Sequence, residues 1–430
     1  MKINKAYKYR FYPSEQQQQA LLVDMNAAHN LWNHMIFASR ITYDGSKSLI
    51  DYHKTLTHLQ ELPEFSYLAE ANRNALTQKL RDLETAYGNF FRRLKSGKSF
   101  REAGLPRFKS KKNDTLSIRY PLDSRTIERQ LSASKSPTVY SQGEWIKPTK
   151  NVGKIHFTWT RIPKGIPKMI TITKRTDGSW WLSFSVEEEV DATEQQSLRT
   201  GMSVGIDFGV KVFATLSNGF QFNAPLISRN AKAKLSREQR ALSRKVKGSA
   251  NYNRQKLKVA KLHQQIANRR SDYIHKFTNL ITNNFDAICV ETLDIKSMQQ
   301  KFGNSFNFKL SDVSISETVR QLEYKSLWKG KHFVKIDKWF PSSKTCSSCG
   351  TIHDMPLSQR FITCDCGNHM DRDYNAATNI RTEGLRSLDM DAIASLRTEQ
   401  FVLPECRAVE VSDILTKHIC LEQMALSVCQ

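Results

Sequence analysis

The sequence predicts an α/β multidomain protein. Three observations carry that expectation. Short segments with strand alternation occur at the N-terminus and again before residue 190. Apolar stripes at helical spacing lie between them. Beyond residue 201, buried-type strands alternate with long helical tracts, the pattern of an α/β layer around a partly parallel sheet. At 430 residues the chain has room for about three domains, each with its own core.

The first strand is Lys5–Phe11, closed by Pro13, and Ser14 is placed to cap the helix that follows. That helix carries Leu21, Leu22, Met25, Ala28, Leu31, Trp32 and Met35 on its apolar stripe. A second helical region runs from about Ser66 to Leu94, with Leu68, Ala75, Leu76, Leu80, Leu83, Tyr87 and Phe91 inward. At this spacing the aromatics read as core and not as base-stacking platforms. Gly97 and Gly104-Leu105-Pro106 end the helices, and the text turns β-like up to about Val190. Asp177-Gly178 between two alternating runs, Met169–Lys174 and Trp180–Val186, is the clearest hairpin. Helices therefore interrupt a β-rich region that begins at the N-terminus and resumes after them. The polar stretch 191–201 reads as a linker. Next come three strands from Ser203 to Phe222, a helical tract from about Ala231 to Asn284, and the apolar strand Ala287–Glu291. A helix near 312–329 and a strand at Phe333–Ile336 follow.

Charge narrows the function. Lys and Arg number 65 against 42 Asp and Glu, a formal +23 with an isoelectric point near 9.6. Such an excess suits a polyanionic partner, and nucleic acid is the usual one. No apolar run approaches the ~20 residues of a membrane span. The N-terminus has no signal-peptide core, so a reducing, cytoplasmic location (at the nucleoid when bound to DNA) is expected. Four of the eight cysteines, Cys346, Cys349, Cys364 and Cys366, fall together, whereas Cys289, Cys406, Cys420 and Cys429 are scattered. In a long intracellular chain that grouping indicates metal and not disulfides.

The acidic residues carry the chemistry. Asp207 ends an apolar strand, Glu291 ends Ile288-Cys289-Val290, and Asp371 and Asp373 head a helix starting at Tyr374. A carboxylate beside a hydrophobic interior is costly unless paired or metal-bound. Three converging carboxylates repel one another unless divalent cations neutralise them, and two such ions can activate water and stabilise a leaving phosphodiester oxygen. Mg²⁺ suits oxygen ligands of this kind, with Mn²⁺ as the other candidate. Taken singly, each acid could be a turn former, an exposed strand end or a helix cap. In this order and on these elements they indicate a nuclease with an RNase H-like sheet. Cutting and strand transfer both use such acids, so a transposase or recombinase stays open beside an endonuclease, as does a non-cleaving regulator.

The motifs Val204–Gly209, Val290–Ile295 and Asp371–Ile380 resemble the three RuvC motifs of the TnpB (OrfB) family. Tyr324–Lys331, Trp339–Gly350, Tyr9–Pro13 and Pro106–Ser110 fit the same family, and the resemblance runs to about residue 386. It implies an insertion-sequence protein related to type V CRISPR effectors: an RNA-guided DNA endonuclease whose partners are a guide RNA and DNA. By motif match, Asp207, Glu291 and Asp373 are its catalytic acids and Mg²⁺ ligands. Asp373 is chosen over Asp371 because it lies two residues before the family's asparagine, here Asn375. Some relatives lose these acids and become repressors; this chain keeps all three. The implied architecture is a β-barrel (1–13 and 99–190) split by a helical recognition lobe (14–98). A linker (191–201) leads to a RuvC-like domain (202–340 and 369–386) with an inserted zinc ribbon (341–368), and a tail (387–430) ends the chain.

The spacing Cys346-x-x-Cys349, fourteen residues, Cys364-x-Cys366 supplies the four thiolates of a closed structural zinc site. His353 and His369 then read as surface residues, and the ribbon is expected to brace the acids without catalysing. The third feature is a one-sided basic tract: Arg237, Arg240, Arg244, Lys245, Arg254, Lys256, Lys258, Lys261, Arg269 and Arg270. With Arg107, Lys109, Lys111 and Lys112, it is expected to contact nucleic-acid backbone.

Overall fold

The computed structural model describes residues 2–46, 50–110, 116–122, 145–189, 201–301, 303–356 and 359–388. The expected linker up to residue 200, Lys111, Lys112 and the tail from residue 389 lie outside them. Two compact units divide at Glu189/Val190.

In the first unit, β1 (Lys2–Phe11) pairs antiparallel with β6 (Trp180–Glu189). β6 pairs with β5 (Met169–Lys174), and β5 with β2 (Leu116–Pro121). The two ends of this unit's chain thus lie side by side, with the helices between them in sequence. Gly178, at φ 81°, makes the turn of the β5–β6 hairpin. A separate pair is β3 (Trp145–Ile146) with β4 (Ile155–His156), and the residues after β4, Phe157 and Trp159, pack on the sheet in an aromatic cluster. There Trp159 meets Tyr9 edge-on at 5.1 Å and Phe184 at 5.0 Å. Among the described residues this is an open four-stranded sheet plus a two-stranded one.

The helices are α1 (Glu15–Ser46), α2 (Tyr52–Glu61), α3 (Tyr67–Glu70), α4 (Arg73–Lys95) and α5 (Phe100–Ala103). The single helical region expected over 66–94 is broken because Asn72 is extended and caps α4 by accepting from the Ala75 amide. Phe91 packs, partly buried, against the core as expected, and Phe90 beside it is buried as well. Buried Asp24 joins three elements, accepting from Tyr120 on β2 at 2.7 Å and from the Asn72 amide at 2.8 Å.

The second unit is built on a five-stranded sheet. Its strands are β7 (Ser203–Phe208), β8 (Val212–Leu216), β9 (Gln221–Asn223), β10 (Ala287–Glu291) and β11 (His332–Ile336), in the order β11-β10-β7-β8-β9. β7, β10 and β11 are parallel, and β8 and β9 complete an antiparallel meander. This is a mixed α/β layer, as the strand and helix periods predict.

The helical tract after β9 is two helices, α6 (Ile227–Ser243) and α7 (Ala250–Asn284). Gly248 at φ 88° and the Ser249 cap separate them. After α8 (Ile295–Lys301), Ser314 at φ 50° divides the helix expected near 312–329 into α9 (Asn304–Val313) and α10 (Ile315–Trp328). A small hairpin, β12 (Phe361–Thr363) with β13 (His369–Asp371), leads into α11 (Arg372–Arg386). No helix among the described residues is long and apolar enough to cross a membrane.

Candidate metal-dependent active site

Asp207 and Glu291 lie at the ends of adjacent parallel strands. The β7–β10 register pairs Ile206 with Val290, and the same register carries Asp207 beside Glu291 on one face. Asp373 arrives from the first turn of α11, which lies against the same strands. Two glycines permit that approach. A Cβ on Gly205 would sit 2.0 Å from the Ala377 carbonyl oxygen, and one on Gly384 would sit 2.4 Å from Cys289 Sγ. The helix carrying the third acid is thereby seated on the two strands carrying the first and second.

The carboxyls are partly buried and crowd one another. Asp207 is pushed up to about 8, first by burial and then by the charges of Asp373 and Glu291, against the pull of Arg372. Glu291 is raised by burial, with a hydrogen bond from Ser342 opposing. Asp373 is raised by burial and by Asp371, with Arg360 and Arg372 opposing. Asp371 itself caps α11, its Oδ1 accepting from the Asp373 amide at 2.9 Å and from the Tyr374 amide at 3.1 Å.

The four cysteines also converge, with their sulfurs within 4.8 Å of one another. Cys346 and Cys366 are 3.7 Å apart, and Cys349 and Cys364 are 3.4 Å apart. A tetrahedral site with Zn–S near 2.3 Å needs sulfurs about 3.8 Å apart, so the donor set fits zinc. Asn368 donates to Cys346 Sγ at 3.2 Å. His369 stacks on Phe361 at 5.5 Å and is exposed. His353 is partly buried with its amide bonded to the Lys344 carbonyl, and so is not the surface residue expected.

The link between cysteines and acids is not visible along the sequence. Buried Asn375 donates to the Thr345 carbonyl at 2.7 Å and accepts from the Ser347 amide at 2.9 Å. Buried Asn379 donates to the carbonyls of Ser342 at 2.8 Å and Thr345 at 2.6 Å. Residues 342–347 enter the cysteine cluster and include Ser342, the partner of Glu291. One loop thus holds the helix of Asp373, touches Glu291 and supplies Cys346. Two asparagines four apart on one helix face are the signal that could have pointed to it.

Of the expected backbone-contacting residues, Arg237, Arg240, Arg244, Arg254, Lys256, Lys258, Lys261 and Arg269 are exposed along α6, α7 and their connection; Lys245 is partly buried. Arg270 differs: it pairs with buried Asp312 at 3.3 Å and donates to Ser228 Oγ at 2.9 Å, a bond internal to the unit. Arg107 and Lys109 lie in the first unit, held against α1.

A mixed α/β protein with three carboxylates facing one another beside a four-thiol cluster is the class that fold and site define. Comparisons with known proteins agree with it. Sequence-family models described as "Probable transposase", "Cas12f1-like, TNB domain" and "Helix-turn-helix domain" match residues 183–301, 316–380 and 1–45. In this chain the last of these segments is a strand followed by one long helix. "Putative RNA-guided DNA endonuclease" of Streptomyces pristinaespiralis is 32% identical over 389 residues, covering 89% of this chain and 90% of that protein. "Putative RNA-guided DNA endonuclease InsQ" of Escherichia coli (strain K12) is 30% identical over 402 residues, covering 89% and 93%. The solved assembly described as "Cryo-EM structure of the Cas12f1-sgRNA-target DNA complex" matches with TM-score 0.51 at 15% identity, over 88% of this chain and 99% of that one, a likeness of fold. The chain belongs to the TnpB (OrfB) family.

Proposed function

We propose that this chain is an RNA-guided DNA endonuclease of a transposable element, with Asp207, Glu291 and Asp373 as its catalytic acids. The observation that carries the reading is the convergence of these three acids on adjoining elements, where burial first and the charges of Asp373 and Glu291 second push Asp207 up to about 8. The sheet order supports an RNase H-like (RuvC) assignment, since three antiparallel strands precede two that run parallel to the first. Bound divalent metal, Mg²⁺ or Mn²⁺, would supply an activated water and neutralise charge at the phosphodiester. Asp207, Glu291 and Asp373 would hold it; hard carboxylate oxygens suit such ions. Ser342 orients Glu291, and Asp371 fixes the start of α11 and so the position of Asp373. Cys346, Cys349, Cys364 and Cys366 hold structural zinc in this reading.

The first unit is read as a barrel-type domain split by a helical lobe. The exposed cations of α6 and α7 are read as a track for phosphate backbone, and base pairing with the guide supplies sequence choice. The test uses purified chain with its copurified RNA in Mg²⁺, on a plasmid library with randomised flanking sequence. Cutting that follows the guide segment and vanishes after RNA removal is expected. Equal site-specific cutting without RNA would overturn guide dependence and favour strand-transfer chemistry at the same acids.

A further inference from the structure

Within the first unit, Lys79 on α4 and Lys109 stand over the same indole. The Lys109 ammonium is 4.1 Å from the centre of the Trp32 ring, and that of Lys79 is 5.7 Å from it. The backbone that carries Lys109 is held against α1. Asn33 donates to the Lys109 carbonyl at 2.9 Å and accepts its amide at 2.7 Å. Trp32 Nε1 donates to the Arg107 carbonyl at 3.0 Å, and Arg40 donates to the Pro106 carbonyl at 3.2 Å. The Lys79 side chain keeps only 14% of its exposure.

Among the described residues, the carboxylate in this cluster is Asp82, 3.5 Å from Lys79 and also bonded to Arg119 of β2. Lys79 and Arg119 therefore share that carboxylate, and Lys79 also interacts directly with Lys109. Like charges held together in a half-buried place are costly. Lys109 is lowered to about 7, by burial first and by Lys79 second. An indole face attracts each cation but does not cancel their repulsion. A monoanion with several acceptor oxygens would cancel it.

We infer that Lys79 and Lys109, seated on Trp32, form a binding site for one phosphodiester of a nucleic-acid backbone. The inference rests on the nucleic-acid reading of the preceding section and adds a site within it. Along the sequence Lys109 belongs to a basic run, Lys79 to a helix and Trp32 to an apolar stripe, and nothing local joins the three.

The test measures binding of the full chain to a single-stranded RNA, a single-stranded DNA and a duplex DNA over a range of salt. Wild type is compared with Lys79→Gln, Lys109→Gln and the double variant. The double variant is expected to bind about tenfold more weakly, the scale of a lost charge-assisted contact. Its log–log salt slope should fall by about one, for one phosphate. Relief of repulsion should leave the free variants melting at or above the wild-type temperature, which separates lost contact from misfolding. Loss confined to RNA assigns the phosphate to the guide; loss confined to DNA assigns it to the target. A slope change of two, or no change with any polymer, overturns the shared site while leaving the proposed function standing. A wild-type chain that binds none of the three overturns both.

Discussion

The four thiols and the three carboxylates are both convergent ligand sets, but they are assembled differently. The sulfurs already lie within 4.8 Å of one another, and among the described residues they are the group so gathered. Each comes from a short turn that fixes it locally: Cys346-x-x-Cys349 on one side and Cys364-x-Cys366 on the other. The carboxyls come from a strand, a second strand and a helix, and burial together with the charges of Asp373 and Glu291 keeps Asp207 protonated up to about pH 8. A closed set of soft donors suits a structural ion. A looser set of hard donors leaves room for water and substrate. The loop 342–347 joins the two through Asn375 and Asn379, so the first set supports the second.

The sharpest way to break the comparison is Cys364→Ser. Structural zinc is worth about 10–16 kcal/mol in small zinc domains, so its loss should release the ribbon and, through residues 342–347, loosen α11. Elemental analysis should fall from about one zinc per chain to none, and limited proteolysis should cut within 341–368. Unchanged zinc content would remove the cysteine assignment.

Next come the acids. Asp207→Ala, Glu291→Ala and Asp373→Ala should each reduce DNA cleavage to background while leaving nucleic-acid affinity, set mainly by Lys and Arg, within about twofold. Asp371→Ala should keep activity and lose about 1 kcal/mol of stability, the worth of a helix cap. A dead Asp371 variant beside an active Asp373 variant would reverse their roles.

The smallest effect is a pH dependence. In Mg²⁺-free buffer the folded state holds a proton on Asp207 up to about pH 8, whereas the unfolded chain releases it near 3.8. The native state thus binds more protons in that window, so stability falls as pH rises through it. Asp207→Asn should flatten the fall and melt a few degrees above wild type at pH 8, with no difference near pH 4. Saturating Mg²⁺ should raise the wild type more than the variant. Equal pH slopes for the two proteins would show that neither burial nor the other acids raise Asp207.

Sequence by itself determined the strands at 203–222 and 287–291 and the hairpin at Asp177-Gly178, and it singled out the four cysteines that converge and the three acids proposed as catalytic. Each is a local pattern: an alternation, a turn dipeptide, a ligand spacing, a charge at the end of an apolar run. Helix breaks at Asn72, Gly248 and Ser314 escaped that reading because one residue's backbone angles interrupt an otherwise continuous stripe. What only the tertiary structure decided is how distant patterns meet. Gly205 and Gly384 look like ordinary glycines until α11 is laid on β7 and β10, where no Cβ fits. Asn375 and Asn379 look like polar helix residues until the loop 342–347 presents its carbonyls to them. Lys79 and Lys109 are thirty residues apart and meet only when α4 and the 106–109 segment both pack on Trp32. Periodicity and spacing report what a residue's neighbours along the chain require; close approach, shared hydrogen bonds and like-charge contact exist only between segments the fold brings together.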